Sequence, residues 1–153
     1  IEEFSTYQWL VRAEKIEIED DKYKRKISFM LRRIENDIEE NENIKEIVAE
    51  IINRRISIKR LLDYINVSIY KKEKVIIIIA TELFKKGYKI QAIKIMIESY
   101  KKFSNSFEVV YTLAYLLHLY GEADQAVSIL EIYEGENYHI KKLLAEIKGE
   151  SCE

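Results

Sequence analysis

The feature that most constrains this chain is a pattern stated twice. Ala80, Leu83, Gly87 and Ala92 recur as Ala114, Leu117, Gly121 and Ala126, each pair 34 residues apart. A fixed period of roughly 20–50 residues marks a stacked repeat, in which no unit can bury its apolar face alone. Spacing says what the units are. Val75, Ile76, Ile79, Ala80 and Leu83 fall at i, i+3 and i+4, one face of a helix. The run Val75–Ile79 is β-branched enough to suit a strand, but Lys71-Lys72-Glu73-Lys74 before it supplies no turn residue. A helix is therefore expected over Lys74–Lys86. Gly87 should end it, because glycine takes the positive φ of a helix C-cap.

A second helix is expected over Lys89–Phe103, with Ile90, Ile93, Ile97 and Tyr100 as its buried face and Ala92 and Met96 beside it. The next copy repeats the layout: Val109–Tyr120, a break at Gly121, then Asp124–Tyr133. Small Ala80, Ala92, Ala114 and Ala126 would let paired helices approach closely.

This layout resembles the tetratricopeptide (TPR) repeat, a pair of antiparallel helices with a period of about 34 residues. The resemblance covers two units, Glu73–Ser106 and Phe107–Ile140. It rests on Ala80, Leu83, Gly87, Ala92 and Ser99 in the first, and on Ala114, Leu117, Gly121 and Ala126 in the second. The chain departs from the family in having no proline, in Tyr133 where a small residue is usual, and in Lys89 and Ala123 just after the turns. The fold class expected is all-α, with antiparallel helix-pair repeats in a TPR-like α-solenoid.

The rest of the chain is read onto this frame. Glu2–Ile18 is expected to be helical, with Phe4, Tyr7, Leu10, Val11 and Ala13 on one side. From Lys22 a second helix carries Tyr23, Ile27, Met30, Leu31, Ile34 and Ile38, a short heptad-like seam. These two helices form an N-terminal capping pair over residues 1–42, and residues 43–153 hold the repeats. Asn43 and Ser57 are expected N-caps for helices striped by Ile44, Ile47, Val48, Ile51 and Ile52, and by Ile58, Leu61, Leu62, Ile65 and Ile69. These two helices, Asn43–Ile56 and Ser57–Tyr70, read as a third, degraded unit lacking a turn glycine. Asn137 should cap a last helix with Ile140, Leu143, Leu144 and Ile147 inward, ended by Gly149. Such a helix suits the solvating cap that solenoids need.

Chemistry is sparse. His118 and His139 are the only histidines, 21 residues apart and without cysteine nearby, so no metal site is expected. No glycine-rich phosphate loop occurs, no serine sits in a nucleophile elbow, and no carboxylate falls within a strongly apolar stripe. The chain is expected to be non-catalytic and without cofactor. The single Cys152 cannot form an internal disulfide, and no signal peptide or apolar run of about 20 residues is visible. A reducing, cytoplasmic location is expected. The chain opens on Ile1 and is expected to be an excerpt of something longer.

Charge is segregated. Residues 1–21 carry a net −5, residues 22–106 a net +9 and residues 107–153 a net −6, within a total of −2. The basic middle includes Lys22, Lys24, Arg25, Lys26, Arg32, Arg33, Arg54, Arg55, Lys59 and Arg60. It reads either as solvated helix faces, or as an anion-binding surface or head-to-tail contact between chains.

By resemblance, the first helix of each unit lines a concave groove. That implies Lys74, Ile77, Thr81, Phe84 and Lys85 on one helix and Tyr111, Tyr115 and His118 on the other. The partner-binding set is Lys74, Thr81, Lys85, Tyr111, Tyr115 and His118, with His118 able to make the contact pH-sensitive. From spacing alone, Tyr111 and Tyr115 read equally as core. The asparagines of the family's chaperone-tail binders are absent, so that ligand is not expected. The leading function is a protein–protein interaction module, an adaptor or scaffold subunit holding a peptide or helix. The alternatives are a nucleic-acid-associated helical subunit and a structural subunit of a larger enzyme. No membrane partner is expected.

Overall fold

The computed structural model describes residues 21–36 and 41–149. Among them are eight helices and no strand: α1 (residues 21–36), α2 (Asn41–Ile52), α3 (Ile58–Ser68), α4 (Lys72–Lys85), α5 (Lys89–Lys102), α6 (Phe107–Tyr120), α7 (Ala123–Ile132) and α8 (Tyr138–Lys148). The protein is all-α, and from α3 onward each helix packs against the next. The expected helix Glu2–Ile18, Ile38 and Cys152 lie outside the described residues.

The two copies of the 34-residue pattern are built alike, down to individual hydrogen bonds. Gly87 and Gly121 adopt φ of 95° and 98°. Tyr88 N–H donates to the Leu83 carbonyl at 3.0 Å, and Glu122 N–H to the Leu117 carbonyl at 2.8 Å. Gly87 N–H and Gly121 N–H reach back to the Phe84 and His118 carbonyls at 3.0 and 3.1 Å. Every atom pair has its counterpart 34 residues on. The left-handed glycine frees the chain to turn back and use carbonyls that the helix end would leave orphaned.

Short connections then fold α5 onto α4 and α7 onto α6, and α5 also packs on α6. Ala80, Ala92, Ala114 and Ala126 are all fully buried. α4 and α6 touch directly, and α6 contacts α8. α5 departs from expectation in its inner face. Ala92, Ile93, Ile95, Met96 and Ser99 are buried, whereas Ile90 and Ile97 are 52% and 37% exposed. Those two isoleucines line an open cleft towards Leu117, Tyr120 and Gln125, between α5 and the start of α7.

Local capping explains most boundaries. Ser57 accepts from Arg60 N–H at 3.1 Å, and Asn137 accepts from His139 and Ile140 N–H at 2.9 and 3.3 Å, both as expected. Ser106 caps α6 by accepting from Val109 N–H, so the helix begins at Phe107 rather than Val109. Gly149 ends α8 in the left-handed region. Asn43 is not a cap: α2 runs from Asn41, which places Asn43 inside the helix. α2 also stops at Ile52, short of Ile56, because Arg54 turns the chain with φ of 59°.

α2 and α3 are not joined as the later pairs are. Among the described residues α2 packs on α4, and α3 on α4 and α5. Polar contacts from α1 reach both α2 and α3. Tyr23 Oη donates to Glu50 Oε2 at 3.0 Å, and the Ser28 and Ser68 hydroxyls meet at 3.0 Å. Glu35 accepts from the Tyr70 and Lys71 N–H groups at 2.7 and 2.5 Å, just before α4. Glu35 and Glu50 are thus buried carboxylates, a burial that the sequence reading did not identify. Both are spent on structural bonds, and Glu50 also pairs with Arg55 at 3.1 Å. Their burial follows from which helices meet, which single-helix stripes do not reveal.

Candidate functional site

The candidate site lies on α4 and α6, two helices that touch directly. On α6, Phe107, Tyr111, Tyr115 and His118 recur at i, i+4, i+8 and i+11, close to a whole number of helical turns. The Tyr111 and Tyr115 rings stack with centroids 6.2 Å apart and planes only 5° from parallel. Phe107 lies 6.1 Å from Tyr111 on the other side. From Phe107 the series crosses to α8, where His139 stacks at 6.0 Å and Tyr138 meets His139 edge-on at 5.7 Å. Five rings therefore form a continuous ladder across two helices. Tyr115 is 42% exposed and Tyr138 64%, so the ladder opens to solvent at both ends. Offset aromatic pairs at such distances contribute about 0.5–1.5 kcal/mol each beyond burial.

The expected residues divide. Tyr111 and Tyr115 are brought together; the exposure of Tyr115 is inconsistent with the core alternative for that residue, whereas Tyr111 is partly buried and packs against the core. Thr81 is half-buried and Lys85 exposed. Thr81 occupies in α4 the position that Tyr115 holds in α6, 34 residues on. Lys74 is diverted: its Nζ donates to the Glu35 carbonyl oxygen at 3.0 Å, which ties α4 to the end of α1. His118 is half-buried, and its Nδ1 is enclosed with no hydrogen-bond partner among the described residues. Phe107, Tyr138 and His139 escaped the sequence reading. Phe107 was legible as the residue one turn before Tyr111. The α8 rings were not, since their approach depends on how α8 crosses α6.

No group of three or more metal-ligating side chains gathers among the described residues, and no helix among them is long and apolar enough to cross a membrane. Compared with known protein families, curated proteins and solved structures, the chain matches none.

Proposed function

We propose that the chain is a non-catalytic protein-interaction module: α4–α7 are two TPR-like units, α8 covers their end, and a peptide or helix lies along the α4–α6–α8 face. The observation that carries this reading is the ring ladder from Tyr115 to Tyr138. Stacked, half-exposed tyrosines present large contact area at little entropic cost, the chemistry enriched in recognition surfaces. Lys85 and Thr81 add a charge and a hydroxyl beside it. Two of the ladder's rings, Tyr111 and Tyr115, belong to the face that the tetratricopeptide resemblance assigns to ligand.

The test is selection from a displayed random-peptide library on the folded protein, followed by affinity measurements on Tyr115→Ala and Lys85→Glu. Lys85→Glu should keep the parent's melting temperature, and Tyr115→Ala should destabilise by no more than the one ring pair it removes, about 0.5–1.5 kcal/mol. Tyr115→Ala is expected to weaken selected peptides at least tenfold. Peptides that bind both variants like the parent would place the working surface elsewhere.

A further inference from the structure

The outer face of α1 carries a second surface. Lys22, Arg25, Lys26, Phe29, Arg32 and Arg33 all project from it, spread over about 16 Å of helix at 1.5 Å per residue. The inner face of the same helix is Ile27, Met30, Leu31 and Ile34, all buried. Among the described residues of α1, Asp21 is the one exposed carboxylate, because Glu35 is buried against the chain before α4. Among the described residues, Lys22, Arg25, Lys26 and Arg32 take part in no ion pair. Arg25 and Arg32 also border an open cleft between α1 and α3, with Asp21, Lys24, Ser28, Val67 and Ser68.

Phe29 decides what this surface fits. It is 59% exposed in the middle of the cations, and the Arg33 guanidinium lies 5.9 Å from its ring centroid. Held open to water, the ring gains a modest cation–π attraction from Arg33 and little from the core. We infer that the outer face of α1 binds single-stranded nucleic acid, with the cations on successive phosphates and Phe29 stacked on an unpaired base. Cation tracks with interleaved aromatics are how sequence-tolerant single-strand binders work. A duplex hides its base faces and would leave Phe29 unused. An anionic lipid surface would attract the cations, but Phe29 alone leaves little apolar area to insert, since Ile27, Met30, Leu31 and Ile34 are committed to the core.

Fluorescence anisotropy of the whole chain with labelled oligouridylate, oligothymidylate and a duplex of equal length tests this. Oligouridylate, oligothymidylate or both should bind at about 50 mM salt, and whichever binds tighter identifies the source. For three to four phosphate contacts, the log–log salt slope should be about −2 to −3. Arg25→Glu with Arg32→Glu should abolish binding. Phe29→Ala should weaken it roughly tenfold, within what one stacked base contributes, and Phe29→Trp should restore it. All these sites are exposed, and unchanged circular dichroism verifies the fold. The inference is overturned if neither single strand binds. It is overturned equally if Phe29→Ala binds like the parent, or if the duplex, polyglutamate or anionic vesicles compete as well as the single strand.

Discussion

At the level of single residues, the turns show how the same backbone problem is solved well and badly. Gly87 and Gly121 hold positive φ, and nothing lies within 4 Å of where a Cβ would be, so a substitution there is resisted by conformation alone. Gly121→Ala should cost about 1 kcal/mol, the left-handed penalty less the entropy alanine removes from the unfolded chain. Thermal unfolding reads this as a fall of roughly 3 °C. Arg54 sits at φ of 59° without that licence. Arg54→Gly should change stability by between zero and about +1 kcal/mol, relief of strain set against glycine's entropy. A marked loss would show that Arg54 has a role beyond its backbone. The caps Ser57 and Asn137 and the turn glycines were legible because their chemistry is local. Arg54 was not, since arginine gives no sign of a positive φ, and the Tyr23–Glu50 bond was not, since its partners are 27 residues apart.

That bond makes a pH prediction. Burial, then the hydrogen bond to Glu50 and its charge, push the Tyr23 phenol from 10.0 up to about 12. A raised pKa means that the folded state keeps the proton longer than the unfolded chain does. The stability this provides is complete below pH 10 and is lost as pH rises towards about 12. Tyr23→Phe should flatten the decline across that window in denaturant titrations. An unchanged slope would mean that the proton is not held there.

At the level of elements, the 34-residue pattern was legible because it combines a helical stripe, a stop and small residues in a fixed order. Its hydrogen bonds recur with it. Legibility fails where an element has two apolar sides. α5 carries isoleucine almost all round, and only its packing against α4 and α6 selects Ile93 and Ile95 over Ile90 and Ile97. It fails again at α2 and α3, whose stripes read as a pair although α1 bonds to both. Ala114 tests the crossing between α6 and its neighbours. It is fully buried, and Ala114→Leu should overpack the site and destabilise by about 1–3 kcal/mol. A variant melting like the parent would mean that no close helix contact exists there.

At the level of the whole molecule, charge and aromatic surface mark two separate regions of the chain. The basic stripe belongs to α1, while the ring ladder belongs to α6 and α8, within the acidic segment from residue 107. A net total of −2 conceals both. The sequence reading reached Tyr111 and Tyr115 through the repeat alignment. It could not show that Lys74 is tied to α1, because that contact spans 39 residues. Nor could it show Phe29 exposed among cations, because a phenylalanine within an amphipathic helix reads first as core. The central claim is that the α4–α6–α8 face is the recognition surface. Heteronuclear NMR of the labelled protein, titrated with a library-selected peptide, tests it most directly. Backbone shifts centred on Thr81, Lys85, Tyr111, Tyr115 and His118, and absent on adding the peptide to Tyr115→Ala, are the predicted result. Shifts centred instead on α1, or on the α5–α7 cleft at Ile90 and Ile97, would contradict it.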